Sequence, residues 1–294
     1  MADAYGGENL VCIVGCPRSG TTWLQRLLAG HPLVRTGQES DVFDIYVGPQ
    51  LRAWRRELEP SSSGRGGVGL ACYFDDPTFS AILSRYAREL LEPMVGGLRA
   101  GEIFVEKTPS HALFIPEIVE LFPNTRFVHV LRDARDTVAS LLGAARSWGK
   151  NWAPRRARGA AVMWVTHVRA VRDARLPPSQ LLEVRYEDLH SSGPRALGQV
   201  VGWLGLDWEK PELERAVQAN RPEVARAGGG TPIPLGGAFG ERFGPVVKEP
   251  RGFVRKAQVG AWRQDLSLLE RLLVWRVAGP TMTEVGYPWP RPWQ

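Results

Sequence analysis

Leu10-Val-Cys-Ile-Val-Gly-Cys-Pro-Arg-Ser-Gly-Thr-Thr-Trp23 sets the reading of this chain. Five apolar residues, Leu10 to Val14, end at Gly15, which is the length and punctuation of a buried strand. From Thr21 to Ala29 the apolar residues Trp23, Leu24, Leu27 and Leu28 fall on one helical face, and Gly30-His31-Pro32 stops the helix. Between strand and helix, Gly15 and Gly20 permit a tight backbone path whose N–H groups converge on one anion. The helix opening at Thr21 adds its positive dipole end. Thr21 and Thr22 add hydroxyls, and Arg18 adds a fixed charge with a planar donor fork. The two glycines are spaced as in G-x-x-x-x-G-K-[ST]. Thr21, however, stands at the lysine position, and the cation precedes the second glycine. The lysine that serves a β/γ-phosphate is missing. That disfavours an ATP or GTP phosphotransferase and favours a loop holding a single 5′-phosphate.

Outward from this loop, strand and helix patterns alternate. Ile103-Phe-Val105, Arg126 to Leu131 and Leu181 to Arg185 read as further strands. Helices are expected over Asp76–Val95, His111–Phe122, about Arg135–Arg146, and Ala160–Ala174, then around Pro194–Leu204, Pro211–Asn220 and Leu266–Val277. The succession predicts an α/β fold with a central parallel sheet of about four or five strands flanked by helices. One domain over residues 1–294 is expected, with 1–8 as a tail. The Gly- and Pro-rich stretch within 225–250 reads as a structureless lid, and Ser61–Gly67 as a flexible loop.

Composition sets outer bounds. With 44% hydrophobic residues in 294, the chain has enough apolar mass for a sizeable core. No apolar run reaches the ~20 residues of a membrane helix. The first residues lack the basic and apolar regions of a signal peptide. The net charge of +6 suits a polyanionic ligand, but no basic run resembles a nucleic-acid arm. Cys12, Cys16 and Cys72 form neither a disulfide framework nor a zinc spacing. They read as buried free thiols in a reducing compartment, so a cytoplasmic location without membrane span, nucleic acid or metal is expected.

Pro17-Arg18-Ser19-Gly20-Thr21-Thr22 resembles the 5′-phosphosulfate loop, Pro-Lys/Arg-Ser-Gly-Thr-Thr, of the sulfotransferases that use 3′-phosphoadenosine 5′-phosphosulfate (PAPS). The resemblance continues to Trp23, which in cytosolic members stacks on adenine. Arg132, at a strand end, and Ser140, eight residues on, match the family's 3′-phosphate signature. Tyr186, in Arg185-Tyr-Glu-Asp-Leu189, matches the tyrosine lining the adenine pocket. Arg255-Lys256-Ala257-Gln-Val-Gly260-Ala-Trp262 resembles the late R-K-G-x-x-G-x-W segment, whose basic pair reaches the 3′-phosphate. Ala257 departs from the usual glycine. The resemblance spans residues 10 to about 266. It implies the three-layer P-loop sulfotransferase fold, PAPS as donor, adenosine 3′,5′-bisphosphate as product, and a small-molecule, glycan or peptide acceptor.

The same resemblance implies catalytic residues. Arg18 and Lys107, in Val105-Glu-Lys107-Thr-Pro-Ser-His111, are the cations for the sulfuryl group and leaving phosphate. Two residues compete as general base. Glu39, in Gly37-Gln-Glu39, matches the base of the tyrosylprotein sulfotransferases, although Gln38 replaces the first acidic residue there. His111 follows Lys107 by four, a longer spacing than in the small-molecule members, and has the better unperturbed pKa. Two other readings stand: a P-loop small-molecule kinase, and a nucleotide-binding module of this fold without catalysis. The acceptor depends on segments 40–75 and 225–250, with Trp54, Tyr73, Phe74, Trp148 and Trp152 as candidates for an aromatic wall.

Overall fold

The computed structural model describes residues 5–59, 68–254 and 256–287. Ser61–Gly67 and Arg255 therefore lie outside the described residues. The sheet has five parallel strands in the order β2-β3-β1-β4-β5, with β1 Leu10–Val14, β2 Val34–Thr36, β3 Ile103–Glu106, β4 Arg126–Leu131 and β5 Leu181–Arg185. Registers run Leu10 opposite Phe104, Val11 opposite Arg126, and Phe127 opposite Leu181. The helices are α1 Thr21–Leu28, α2 Gly48–Leu58, α3 Asp76–Val95, α4 Ile115–Leu121, α5 Ala134–Ala145, α6 Ala157–Asp173 and α7 Tyr186–Ser191. They continue as α8 Gly193–Trp203, α9 Lys210–Ala219, α10 Pro222–Arg226, α11 Gly237–Phe243, α12 Trp262–Asp265 and α13 Leu268–Glu284.

The alternation of side chains along β1 builds the layers. Val11 and Ile13 point to one face, where Leu24, Leu27 and Leu28 of α1 pack with Leu197 and Val200 of α8. Leu10, Cys12 and Val14 point to the other, where Leu83, Ala87 and Leu91 of α3, Ile118 of α4 and Val171 of α6 cover them. A third cluster joins α5, α6 and α13 around Trp164, which is fully buried and donates its indole N–H to Arg132 O at 2.9 Å. This bond ties the packing directly to a site arginine. Among the described residues no helix is long and apolar enough to cross a membrane.

Several elements differ from the sequence expectation. β2 has three residues, too few to show a period, and exists through its pairing with β3. The expected helix over 111–122 begins as a 3₁₀ segment, Pro109–Phe114, because Pro116 has no N–H to bond back to Ala112 and its ring crowds that carbonyl. α13 runs past its expected end and through Pro280, starting from a capping box between Ser267 and Glu270. The stretch 225–250 is not structureless: it holds α11 and a bridge between Pro234 and Val246. Cys12 and Cys16 are buried as expected, but Cys72 is exposed, in the short turn Leu70–Cys72.

Candidate active site

Every strand delivers a candidate residue at its carboxyl end, the edge where open parallel sheets bind ligands. β1 opens into the Gly15–Gly20 loop, β2 leads to Glu39, β3 to Lys107, β4 to Arg132 and β5 to Tyr186. Two glycines make the loop possible. A Cβ on Gly20 (φ 108°) lies 2.5 Å from the Tyr186 ring, and one on Gly15 lies 2.7 Å from Val130 O. Gly20 thus lets the Tyr186 ring seat directly on the loop.

One cavity collects nearly all the expected cofactor residues. Arg18, Gly20, Thr21, Thr22 and Trp23 form one wall, and Arg132, Ser140 and Tyr186 another. Lys256 closes it from the late segment, where it also pairs with Asp265 at 2.7 Å. Ser19 sits beneath the loop, buried, its hydroxyl without a partner. Trp23 meets Tyr186 edge-on at 5.4 Å and donates its indole N–H to Asn220 O at 2.9 Å. Arg132 lies over the Tyr186 ring at 4.0 Å and donates to Gln258 O at 3.0 Å and Arg18 O at 3.3 Å. Its Nε is buried and unpartnered.

Arg18 adopts a left-handed backbone, φ 75°, which presents its carbonyl to Arg132. Its guanidinium donates to Ser140 Oγ at 3.3 Å and Phe253 O at 2.5 Å, and stacks over the Phe253 ring at 4.5 Å. Burial, with Arg132 beside it, brings the guanidinium down to about 10. Neither Arg18 nor Arg132 makes a carboxylate salt bridge among the described residues.

The second group lies at the ends of β2 and β3. Lys107, buried, ion-pairs with Glu39, whose side chain is 41% exposed. Gln25 on α1 holds the Glu39 segment from the loop side, donating to Thr36 Oγ1 at 2.8 Å and Gly37 O at 2.7 Å. Gly15 N–H donates to Pro109 O at 3.1 Å, which ties the phosphate loop to the segment after Lys107. His111 is not at the surface of the site. It is fully buried, with Nδ1 2.8 Å from Glu106 and Nε2 3.2 Å from Asp44. Burial opposes charge on this pair, yet their mutual attraction holds Glu106 down at about 2 and raises His111. Cys12, Glu106 and His111 bring potential metal-ligating atoms within 4.8 Å of one another, which no sequence spacing announced. The contact between His111 and Glu106 has hydrogen-bond length.

Sequence reasoning missed several residues of the site. Arg26 and Glu249 face each other across the cavity at 3.4 Å. Asp136 accepts from Gly260 N at 2.7 Å and Trp262 N at 2.9 Å, fastening the late segment to α5. A polar residue four after Arg132, on the same helix as Ser140, was the available signal. Of the aromatic candidates, Trp54 is a core residue stacked on Phe79 at 4.1 Å. Trp148 lies beside the site, 5.2 Å from the Arg18 guanidinium, and Tyr73 is exposed.

A glycine-bounded loop, two neighbouring arginines and a tyrosine thus gather at the carboxyl edge of a parallel sheet in an α/β protein. The sulfotransferase family model matches residues 11–210, and the chain belongs to that family. It is 27% identical over 211 residues, 70% of its length and 69% of the other, to a Caenorhabditis briggsae protein named provisionally as a protein-tyrosine sulfotransferase. Against the protein-tyrosine sulfotransferase of Drosophila melanogaster it is 32% identical over 133 residues, 45% of this chain and 25% of that one. Protein-tyrosine sulfotransferase A of Caenorhabditis elegans is 31% identical over 48% of this chain and 35% of its own length. The chain thus spans only a quarter to a third of these last two relatives. In three dimensions it resembles a mouse sulfotransferase complexed with PAP (TM-score 0.61, 14% identity, 96% and 87% coverage). It also resembles the sulfotransferase domain of the curacin biosynthetic pathway (TM-score 0.58, 19% identity, 96% and 99% coverage). These likenesses establish the three-layer sulfotransferase fold.

Proposed function

We propose that the chain transfers a sulfuryl group from PAPS to an acceptor hydroxyl or amine, with Glu39 as general base. One observation carries this reading: Arg18, Arg132 and Ser140 converge on one cavity, the two arginines without a carboxylate partner among the described residues, beside a loop suited to a 5′-phosphate. Two separated anions, the 5′-phosphosulfate and the 3′-phosphate, match that arrangement. The mouse neighbour's PAP, adenosine 3′,5′-bisphosphate, is the nucleotide such a transfer leaves behind.

In the transfer, the acceptor oxygen or nitrogen attacks sulfur in line. The bond from sulfur to the bridging oxygen breaks, and that oxygen leaves on the 5′-phosphate. By analogy with phosphoryl transfer, the transition state is loose, so positioning and charge stabilisation do most of the catalysis. Lys107 turns from Glu39 to the sulfuryl and bridging oxygens, and Arg18 receives the leaving phosphate. Glu39, freed of its partner, takes the acceptor proton. Its exposed side chain supports this role over His111, which is sealed in the core between Glu106 and Asp44. No metal takes part, so turnover should survive a chelator.

The names of the relatives make a tyrosyl peptide the first acceptor to try. Turnover of sulfur-labelled PAPS against tyrosyl peptides, phenols, glycans and amines tests the reading. Label transfer to one class supports it, and its absence from all leaves the inert nucleotide binder. Calorimetry separates the kinase: heat with ATP-magnesium but none with adenosine 3′,5′-bisphosphate overturns the proposal.

A further inference from the structure

The buried carboxylate of Glu106 touches neither the cavity nor the nucleotide side, yet it is the most heavily bonded acid near the acceptor end. It closes β3, 2% exposed. It accepts from Ser40 Oγ at 2.8 Å and Ser40 N at 3.3 Å, and from Thr108 Oγ1 at 2.7 Å and Thr108 N at 3.0 Å. His111 Nδ1 lies against it at 2.8 Å. Ser40 follows Glu39 directly, and Thr108 follows Lys107. A further bond, Asp41 N to Thr108 Oγ1 at 3.4 Å, joins the same two segments. We infer that Glu106, backed by His111, is the positioning residue that sets Glu39 against Lys107.

The chemistry favours an ionised carboxylate in this place. Four donors from two chain segments converge on two oxygens, and a carboxylate accepts them all, whereas an amide must turn its NH₂ toward some of them. A buried carboxylate needs a counter-charge or full hydrogen bonding, and His111 supplies the charge from behind. The other side of the imidazole is also built: Asp44 Oδ1 at 3.2 Å receives a proton on Nε2, and Phe43 N–H at 3.3 Å serves the same nitrogen when the ring is neutral. Asp41 and Asp44 are the remaining charged groups facing the imidazole, and Cys12 is the neighbouring thiol, its pKa raised by burial and by Glu106 so that it stays neutral. The network therefore links β1, the turn Val42–Val47, and the ends of β2 and β3. Glu39 itself stays outside it, held by its neighbour Ser40 and by Lys107.

The inference rests on Glu39 and Lys107 forming the reacting end, so its test separates the two claims. Glu106→Gln is made alone and with Glu39→Gln. Turnover of PAPS, affinity for adenosine 3′,5′-bisphosphate and a crystal structure are obtained for each. The expected result is at least a 30-fold loss of turnover, nucleotide affinity within threefold, an apparent base pKa displaced in the rate–pH profile, and loss of the Glu39–Lys107 contact in the crystal. In the Glu39→Gln background the second change should cost less than threefold, because it acts through the base. Multiplicative losses, or an undisturbed Glu39–Lys107 contact with a large loss, overturn the positioning role. If Glu39→Gln alone turns over normally, the base assignment has failed, and the crystal contact still decides the inference. Should Glu106→Gln not fold, Ser40→Ala and Thr108→Val each remove one hydroxyl bond to Glu106, together with the bond that hydroxyl accepts from Val42 N or Asp41 N, while leaving the buried charge. Each should lower turnover about threefold to tenfold with nucleotide affinity unchanged, and wild-type turnover in both sinks the idea.

Discussion

The two halves of the carboxyl edge handle charge in opposite ways. On the β1–β4–β5 side, Arg18 and Arg132 are buried or nearly so and meet main-chain carbonyls, a serine and aromatic faces. On the β2–β3 side the cations are paired with carboxylates: Lys107 with Glu39, and His111 with Glu106 and Asp44. Buried cations are costly unless paired, so the first half favours an anion as partner. In the second, Lys107 and His111 already have carboxylate partners, so an anion entering there must compete for Lys107. Changes in the first half should therefore register as lost affinity, and changes in the second as lost turnover.

The most forceful way to break that division is Glu39→Gln. We expect turnover to fall by a general-base factor of ~10²–10⁴, with affinity for adenosine 3′,5′-bisphosphate nearly intact. His111→Asn should cost much less through chemistry, and its folding must be checked first, because it leaves Glu106 buried without its counter-charge. If His111→Asn abolishes turnover in a folded protein while Glu39→Gln stays near wild type, the roles are reversed.

Arg132→Ala is the matching test on the nucleotide side. A lost charge-assisted contact costs roughly 1.5–3 kcal/mol, about 10- to 150-fold in affinity. The loss should fall on adenosine 3′,5′-bisphosphate and spare adenosine 5′-phosphosulfate, which lacks the 3′-phosphate. Equal weakening of both, measured by calorimetry, removes Arg132 from the 3′-phosphate site.

Much of the nucleotide half was legible because it is local. Loop, strand end and helix start lie within a few residues of one another, so Gly15 to Trp23 and Arg132 to Ser140 carry their geometry in their spacing. The acceptor half depends on contacts between distant segments. The strand at Ile103–Val105 was legible, but nothing around His111 in the sequence shows that Glu106, at that strand's end, faces it, or that Asp44 comes round from the π-helical stretch Val42–Val47 after β2. Glu106 was visible only as a charge beside Lys107. Gln25 reads as a polar interruption of an apolar helical face, and its reason emerges only when β2, itself too short to recognise, brings Gly37 to it.

The paired charges also predict how stability depends on pH. His111 is raised, so its contribution is fully present below about pH 6.5 and is lost as pH rises through its folded value. Glu106 is depressed, so its contribution is present above about pH 4.3 and is lost as pH falls toward about 2. Asp41 and Asp44, raised chiefly by burial, contribute below about pH 4 and lose that contribution as pH rises through their folded values. Thermal midpoints should therefore decline from pH 6.5 to 8.5, and a folded His111→Gln variant should show a flatter decline. Parallel curves for the two proteins place the titration elsewhere.

The finest division concerns Ala257, where the family pattern has glycine. Its backbone is left-handed, φ 52°, and its carbonyl accepts the Tyr186 hydroxyl at 3.0 Å. A residue with a Cβ pays roughly 1–2 kcal/mol for that conformation, which glycine avoids. Glycine also gains freedom in the unfolded chain, worth about 0.4–1 kcal/mol in the other direction. Ala257→Gly should thus stabilise the fold by between about 0 and 1.6 kcal/mol, while relaxing a segment that closes over Arg132. Because Gln258 O next to it holds the Arg132 guanidinium, the relaxed segment should seat more readily on a bound nucleotide. Affinity for adenosine 3′,5′-bisphosphate should rise, by about fivefold at most, with turnover changed little because Glu39 and Lys107 lie on the other half. Weaker nucleotide binding by Ala257→Gly would mean that the alanine methyl contributes a contact, and that the late segment is shaped by packing rather than by its backbone angle.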